Sequence, residues 1–344
     1  MKRIIFVSII ISLAAIAYSQ VVKGTIYDSD TKSTVPYAAI YFTGSLAGTA
    51  SDQDGRFELD ISKFATKPIT IRAIGYETYI LNDATTDTEY EIFLKPSSFD
   101  LEEAVISTKS LERKRKTYLR LFRNEFLGTT GNQRQCIILN ESDIKFDYAN
   151  DKDTIRAFAV KPLVVNNNSL GYVITYYLDA FEYDKRTNIV NFIGDIVFTE
   201  DLAIRDSVNR ASYFKKRKEA YIGSCMHFFR TLWTNSLEIN GFSFSNVSKD
   251  PVNTSFTQTL ATTSRIKYND VVFEDSRHQK YFKYSGDLNI DYNGRATKVI
   301  FLKPLVRFEQ NGFFDPAGLE WHGPMADQRI ADILPYEYYT SEIY

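Results

Sequence analysis

Three histidines are the first residues to consider for metal chemistry. A zinc carboxypeptidase needs a His-x-x-Glu pair and a distant third ligand, because catalytic zinc takes three protein ligands and keeps one position open. His227 is followed by Phe-Phe-Arg, His278 by Gln-Lys-Tyr and His322 by Gly-Pro-Met, so the required glutamate is missing each time. Phosphate-binding glycine loops and the Gly-x-Ser-x-Gly elbow are missing too. We therefore expect no catalytic residues of these types, no metal ligand set and no cofactor.

His227 and Arg230 form a polar pair whose spacing makes it a candidate site. They are three positions apart, on one face of a predicted helix that is rich in bulky apolar residues. The pair could bind an anion or organise a buried polar network. We favour a core histidine that donates to a backbone carbonyl, because aromatic residues surround it and no acid is in register. Cys225 is on a different side of the helix from His227, so the two cannot form a thiol–imidazole nucleophile.

The N-terminus has the layout of a secretory signal peptide. Lys2 and Arg3 precede a mostly apolar run of 14 residues at 4–17, and Ala17-Tyr18-Ser19 is a small-x-small cleavage site. The run is short for a membrane span of about 20 residues, so an uncleaved anchor is the less favoured alternative. We predict a signal peptide at 1–19, export to the periplasm or an outer-membrane-associated location, and no transmembrane helix in the mature chain.

Export would place the two cysteines in an oxidising compartment. Cys136 falls in a strand-like run, and Cys225 falls in a helical pattern 89 positions later. A disulfide between them and a pair of buried free thiols are both open. The free thiols are favoured, because two cysteines in a chain of this length make no disulfide framework.

Composition excludes two broad classes of protein. The chain has 344 residues, of which 44% are hydrophobic and 24% charged, so it is expected to fold rather than to be disordered. Its net charge of −2 lacks the basic excess of a protein that binds nucleic acid. Aromatic residues make up 15% of the chain, a proportion that favours strands.

Residues 21–106 alternate between apolar and polar positions in short runs that turn residues separate. About seven such runs without a helical period predict a small β-sandwich. Asp52-Gln53-Asp54-Gly55 lies between two of them and predicts a hairpin turn, since glycine accepts the positive φ that the turn demands. A calcium loop is the alternative for these acids, but the further ligands of an EF-hand are missing in register.

Several segments of this region resemble, in order, the carboxypeptidase regulatory-like domain. They are Gly24–Asp28, Val35–Ile40, Gly48–Phe57 and Ile74–Glu77, with Leu94–Pro96 and Leu101–Ile106 similar to its last strand and exit. The resemblance covers about 21–107 and implies a seven-stranded sandwich similar to transthyretin (prealbumin), without catalytic residues. The family precedes outer-membrane transporters and many other envelope proteins of Gram-negative bacteria. The resemblance therefore implies a rigid module of the cell envelope, not proteolysis.

Residues 109–127 change to a helical period. Leu111, Tyr118, Phe122 and Phe126 form an apolar stripe, and Gly128 follows as a helix stop. The basic residues of the other face are Lys109, Arg113, Lys114, Arg115, Lys116, Arg120 and Arg123. This face either contacts anionic lipid or an acidic partner, or stays solvated, and solvation is favoured because charge runs usually remain in water.

Strand-like runs return from 134 to about 200, and again from 242 to 308. Between them, 211–239 is predicted to be helical, with a break at Gly223 and Gly241 just beyond its end. Segments such as Tyr221–Ser224, His227–Arg230 and Ala331–Pro335 resemble a group of envelope proteins that carry the regulatory-like domain in front. No activity is established for that group, so the resemblance assigns none to this chain.

The sequence as a whole predicts a mainly β protein: signal peptide 1–19, β-sandwich 21–107, and a β-rich α+β domain at 108–344 with helices near 109–127 and 211–239. The function we expect is that of an exported, non-enzymatic cell-envelope protein. Its sandwich would serve as a docking or spacer module, and its larger domain would bind an unknown envelope protein, peptide or glycan. The alternative is an envelope hydrolase of peptides or glycans, with an acidic site in the C-terminal domain.

Overall fold

The computed structural model describes residues 20–64, 67–97, 109–148, 153–201, 207–246 and 266–340. The predicted signal peptide at 1–19 and the predicted domain boundary at 107 lie outside these residues. The described chain divides into two compact units, 20–42 with 47–97 and 43–46 with 109–340. Within the described part of the chain, no helix is both long and apolar enough to cross a membrane.

The first unit is a β-sandwich, as predicted. Its described strands are β1 (Val21–Asp28), β2 (Ala39–Tyr41), β3 (Gly48–Ala50), β4 (Arg56–Asp60), β5 (Ile69–Arg72), β6 (Tyr79–Leu81) and β7 (Glu89–Leu94). One sheet has the order β4-β1-β7, with β1 antiparallel to β4 and parallel to β7, and the other has the order β3-β2-β5-β6. Ile26, Ile40, Ile69 and Ile71 are fully buried in the core, because alternate residues of each strand point to one face.

The turn at Asp52–Gly55 forms as predicted, but it does not make a hairpin. Gly55 has φ +76°, and the Asp52 carboxylate accepts from the backbone N–H groups of Asp54 and Arg56 at 2.9 and 2.8 Å. The strands on either side belong to different sheets, since β3 pairs with β2 and β4 pairs with β1. The predicted hairpin is therefore wrong, and the turn carries the chain from one sheet to the other.

The second unit is the predicted β-rich α+β domain. Its first helices and strands are α1 (Lys109–Leu127), β8 (Cys136–Ile138), β9 (Ile144–Asp147), β10 (Thr154–Ala159), β11 (Leu163–Asn167), β12 (Tyr172–Asp184), β13 (Ile189–Glu200), α2 (Ser207–Tyr221) and α3 (Cys225–Trp233). The remaining ones are β14 (Phe242–Asn246), α4 (Tyr268–Val271), β15 (Val272–Glu274), β16 (Lys280–Phe282), β17 (Leu288–Tyr292), β18 (Arg295–Phe301), β19 (Val306–Phe308) and β20 (Leu319–His322). Short 3-10 turns lie at Gly131–Gln135, Glu141–Asp143, Glu238–Asn240 and Pro316–Gly318.

Strand β12 organises the first core of this unit. Along one edge, the first half of β12 pairs with β11 and its second half pairs with β10. Strand β13 pairs along the whole of the other edge. Beyond these, β8 pairs with β11 and β9 pairs with β10. Helix α1 packs on the inner face, where the Phe122 ring lies 4.7 Å from that of Phe181 and Phe126 lies 5.0 Å from Tyr176. Phe122 and Phe126 are fully buried. The predicted apolar stripe of α1 is thus the surface that covers the sheet.

The second core surrounds α3. Phe228 and Phe229 are fully buried among two sheets, of order β14-β17-β18-β20 and β15-β16-β19. The predicted break at Gly223 is confirmed, since this residue has φ +76° between α2 and α3. The predicted helix end near 239 is wrong: α3 ends at Trp233, Asn235 takes φ +53°, and Gly241 instead closes the 3-10 turn Glu238–Asn240. The left-handed residue interrupts helical hydrogen bonding, which the apolar pattern alone did not reveal.

Candidate functional site

His227 is held at the first turn of α3 as a neutral side chain. Its backbone N–H donates to the Ser224 hydroxyl at 3.1 Å, which caps the helix. Its Nδ1 accepts from the Gly223 N–H at 3.1 Å, so the ring proton is on Nε2. Burial among aromatic rings, including Phe242 at 5.0 Å, lowers the pKa of His227 to about 4. The expected donation to a carbonyl is therefore replaced by acceptance from a backbone N–H.

Arg230 uses its guanidinium to hold distant backbone. Nε donates to the carbonyl of Asn311 at 2.9 Å, Nη1 to that of Tyr338 at 2.6 Å and Nη2 to that of Tyr336 at 3.0 Å. The guanidinium carbon lies 4.4 Å from the centre of the Tyr339 ring. Arg230 is only 8% exposed, and each of its three nitrogens has a carbonyl partner. Of the alternatives for this pair, a buried network fits this geometry and an anion site does not.

His227 and Arg230 share a neighbour rather than a ligand. The Tyr221 ring lies 4.8 Å from the ring of His227 and 5.4 Å from the guanidinium carbon of Arg230. The positive charge of Arg230 also lowers the pKa of His227, but by less than burial does. The two side chains thus join one aromatic and polar network around the start of α3.

Asp332 is a buried acid to which the sequence pattern had assigned no role. Its carboxylate accepts from the Thr130 hydroxyl at 2.6 Å and from the Asn132 amide at 2.7 Å. The Ser169 hydroxyl donates to the Asn132 side-chain carbonyl at 2.5 Å. Burial raises the pKa of Asp332 above its ordinary value, against the two hydrogen bonds. In the sequence, only one feature could have drawn attention to Asp332: it lies in the segment Ala331–Pro335, which resembles other envelope proteins.

Arg217 belongs to the basic run Lys215-Lys216-Arg217-Lys218, and the structure buries it. It is 5% exposed, and its guanidinium carbon lies 3.9 Å from the centre of the Tyr172 ring. Its nitrogens donate to the carbonyls of Leu170 and Gly171 and to the carboxylate of Glu200. A basic run in a sequence does not show which of its members turns inward.

The cysteines are free thiols in this structure. The Cys136 sulfur lies 3.5 Å from the carbonyl oxygen of Asn132. Burial raises the pKa of Cys136 and of Cys225 to about 12 in each case. Because the thiolate is the reactive form, both side chains are poor nucleophiles.

The basic face of α1 is divided between structural contacts and solvent. Arg115 donates to the carbonyls of Ile144 and Glu141 at 2.9 Å each, and Arg123 pairs with the Glu141 carboxylate. The exposed cations of the helix are Lys109, Arg113, Lys116, Arg120 and Arg123. Part of the face that was predicted to be solvated therefore ties α1 to the 3-10 turn at Glu141–Asp143.

The remaining histidines pair locally with acids. His278 Nδ1 lies 2.8 Å from a Glu274 oxygen, and His322 Nε2 lies 2.6 Å from a Glu320 oxygen. Among the residues that the structure describes, no three histidine, cysteine or acidic side chains come together as metal ligands would.

The first unit carries a groove that the sequence did not lead us to expect. It has a volume of about 900 Å³. Its lining residues are Thr25, Tyr27, Thr34, Asp54, Arg56, Glu89, Tyr90 and Glu91. They come from β1, β4 and β7 and from the turns beside them, so pairing of the three strands creates the groove.

Comparison with known proteins identifies the first unit. Residues 22–106 match the family model described as "CarboxypepD_reg-like domain", which confirms the resemblance over 21–107. No curated protein matches the chain. A 9R-lipoxygenase from Cyanothece PCC8801 is a solved structure with 11% identity and a TM-score of 0.16, covering 62% of this chain. This chain spans 48% of the lipoxygenase, and the likeness carries no argument about fold or function.

Proposed function

We propose that this protein is an exported, non-enzymatic protein of the cell envelope, located in the periplasm or associated with the outer membrane. The observation that carries the proposal is the order of segments. The CarboxypepD_reg-like match starts at residue 22, directly after the predicted signal peptide at 1–19. In this proposal the sandwich is a docking or spacer module, and the second unit binds an envelope protein, peptide or glycan.

The contacts of the buried polar residues support a non-enzymatic role. Arg230 and Arg217 donate to backbone carbonyls, His227 accepts from a backbone N–H, and Asp332 accepts from two side chains. A catalytic group must have a face or an atom available to substrate. These four side chains are the strongest chemical candidates of the second unit, and the fold itself occupies them.

The exposed part of α1 supports contact with a negatively charged surface. Lys109, Arg113, Lys116 and Arg120 are exposed on it. A cationic helix face attracts anionic lipid headgroups over a Debye length of about 8–10 Å. A solvated face stays the favoured role of these residues, and peripheral contact with anionic lipid is the alternative.

Export is tested by producing the full chain in a Gram-negative host and sequencing the N-terminus of the protein in the envelope fraction. We expect the protein to begin at or next to Gln20. A variant with Ala17→Phe and Ser19→Phe lacks the small residues of the cleavage site and should keep its leader. Met1 in the envelope fraction of the unaltered protein would contradict the proposal.

Zinc-dependent carboxypeptidase activity is tested separately with the purified protein. We expect no release of C-terminal amino acids from peptides, with or without zinc, because no histidine has the required glutamate. His278→Ala and His322→Ala are the test variants, since both side chains are at least partly exposed and could reach a metal ion. Zinc-dependent turnover that either substitution abolishes would overturn the non-enzymatic assignment.

A further inference from the structure

One face of helix α2 is anchored in the second unit. Arg217 and Ala220 are 5% and 3% exposed. The Arg217 guanidinium donates to the Leu170 carbonyl at 2.8 Å and to the Glu200 carboxylate at 3.0 Å. The Gln328 amide donates to the Ala220 carbonyl at 3.1 Å. These contacts fix the rotation of the helix about its axis, so they also determine which of its side chains point away from the fold.

The outward face of α2 exposes large apolar side chains together with cations. Phe214 is 45% exposed, and Ile222, directly after the helix, is 40% exposed. Ile222 continues the helical hydrogen bonding, since its N–H donates to the Lys218 carbonyl at 3.0 Å. Arg210 and Lys215 are exposed as well. At 3.6 residues per turn, the four exposed side chains fall within an arc of about 140°.

The exposed charge of α2 is positive, although the chain as a whole has a net charge of −2. Residues 207–222 include five basic residues and one acid, Glu219. Glu219 forms an ion pair with Lys216 at 3.0 Å, and Arg217 turns inward to Glu200. The Arg210 guanidinium carbon lies 5.6 Å from the centre of the Phe214 ring. The outward face therefore places a cation directly beside an exposed aromatic ring.

We propose that this face of α2 docks on a bilayer surface that contains anionic phospholipids. A helix lying flat on a membrane buries its apolar side chains at the boundary of the acyl chains and holds its cations among the headgroups. Phe214 and Ile222 are the apolar anchors, and Arg210 and Lys215 are the headgroup contacts. The proposal rests on the envelope location proposed above, and it adds the surface through which the protein meets a membrane.

Helix α1 is also basic, but it lacks the apolar half of this arrangement. Where the structure describes its side chains, the exposed ones are all polar: Lys109, Glu112, Arg113, Lys116, Thr117, Arg120, Arg123 and Asn124. Such a face is attracted to anionic headgroups but buries no apolar area, and charged faces usually remain solvated. A membrane surface suits both kinds of exposed side chain on α2, whereas water suits only the cations.

A second copy of the chain is a poorer occupant of this face. In a twofold contact the same patch meets itself, so Arg210 and Lys215 of one copy would approach the cations of the other. Like charges that face each other across an interface oppose association. Anionic headgroups instead complement the cations, and the bilayer below them accepts the Phe214 ring.

The test is sedimentation of the purified protein with lipid vesicles. Vesicles of phosphatidylcholine with about 30% phosphatidylglycerol are the anionic probe, and vesicles of phosphatidylcholine alone are the neutral probe. We expect at least about tenfold stronger binding to the anionic vesicles, and severalfold weaker binding at about 0.5 M than at about 0.05 M salt. Equal binding to both compositions, or none to either, would overturn the proposal. Binding of polyglutamate without binding of vesicles would identify an acidic polypeptide as the partner and overturn it as well.

One pair of variants tests the apolar anchor. Phe214→Ser should weaken binding to the anionic vesicles by about fivefold or more, because it removes apolar area that the membrane would bury. Phe273→Ser is the matched control, since Phe273 is 41% exposed on β15 and should leave binding unchanged. Thermal unfolding checks that both variants are folded. Equal losses in the two would show that α2 is not the contact.

A second pair of variants tests the cations. Arg210→Glu combined with Lys215→Glu should weaken binding to the anionic vesicles by at least about tenfold, since both side chains would then repel the headgroups. The control is Lys116→Glu combined with Arg120→Glu, which changes the net charge equally at exposed positions of α1. We expect less than about a twofold loss from the control. Equal losses in the two double variants would mean that binding follows the overall charge, and would overturn the assignment to α2.

The predicted signal peptide is controlled for by measuring both the full chain and the chain that begins at Gln20. The apolar run at 4–17 is itself attracted to a bilayer, so the Phe214 and double variants should lose binding in both forms. Binding that disappears when residues 1–19 are removed would place the contact in that segment and overturn the proposal.

The vesicle experiment and the export test fail independently. Vesicle binding is measured on purified protein and needs no particular location in the cell. A protein that retains Met1 in the envelope fraction but binds vesicles through α2 would refute the proposed export alone. A correctly processed protein that binds no vesicles would refute the membrane contact alone.

Discussion

Arg230 donates to the backbone carbonyl of Tyr338 at 2.6 Å, across 108 positions of the chain. Arg230 belongs to α3 in the second core of the larger unit, and Tyr338 belongs to its first core. With the carbonyls of Tyr336 and Asn311 also bound, one side chain joins the two cores. The residue that spacing had marked as a site is a structural clamp within this unit.

Arg230→Lys is predicted to destabilise the protein by about 2–5 kcal/mol. A lysine cannot donate in three fixed directions, so buried carbonyls of the segment at 336–338 lose their partner. Urea unfolding followed by tryptophan fluorescence measures the change. The control is Arg186→Lys, whose ion pairs are exposed and which should cost less than about 1 kcal/mol. Equal losses in both variants would contradict the clamp.

His227 should make stability depend on pH in the acidic range. Folding lowers its pKa from 6.5 to about 4, so the neutral form stabilises the fold. This stabilisation is complete above pH 6.5 and is lost as pH falls through 4, by up to about 3 kcal/mol. Urea unfolding at several pH values should show a shallower acid loss in His227→Gln than in the unaltered protein. The same pH slope in both would show that His227 does not titrate as argued.

Asp332 should act in the opposite direction. Burial raises its pKa above 3.8, so the folded state holds the proton more tightly than the unfolded chain. Its contribution to stability therefore falls as pH rises from 3.8 through the pKa of the folded state. We expect the free energy of unfolding of the unaltered protein, minus that of Asp332→Asn, to decrease between pH 4 and pH 7. An increase over that range would mean that the hydrogen bonds from Thr130 and Asn132 outweigh burial.

Both cysteines should resist alkylation in the folded protein. With a pKa of about 12, only about one thiol in ten thousand is ionised at pH 8. Iodoacetamide followed by intact-mass measurement should add no label to the native protein and two labels to the protein unfolded in guanidinium. Unfolded protein that takes no label without a reductant, and two labels after reduction, would instead reveal a disulfide formed on export.

Helix α1 is predicted to be required by the second unit. Three side chains of α1, Tyr118, Phe122 and Phe126, are buried in the first core of this unit. Burying three such side chains contributes at most about 5–9 kcal/mol, which is comparable to the stability of a whole domain. A fragment that starts at Thr129 should therefore lose the cooperative thermal transition of one that starts at Ser107. Arg113→Ala in the longer fragment, which changes only an exposed residue of the helix, is the control. Equal melting temperatures for both fragments would make α1 a linker.

Local sequence patterns determined much of the fold. The apolar stripe of Phe122 and Phe126 and the stop at Gly128 predicted α1 correctly, because helix periodicity and a positive φ depend on neighbouring residues. Alternation likewise predicted the sandwich, and the strand-like runs expected from 134 to about 200 include the long strand β12.

Only the tertiary structure decided what the polar residues do. The sequence placed His227 and Arg230 on one helix face, but the carbonyls that bind Arg230 come from 81 to 108 positions away. The groove likewise brings Arg56 of β4 and Glu91 of β7 to either side of Thr25 in β1. The repeat of apolar residues shows which face of its own strand or helix a side chain is on. The partner of that side chain depends on which distant strands pair. That pairing is a property of the whole core, and no local pattern encodes it.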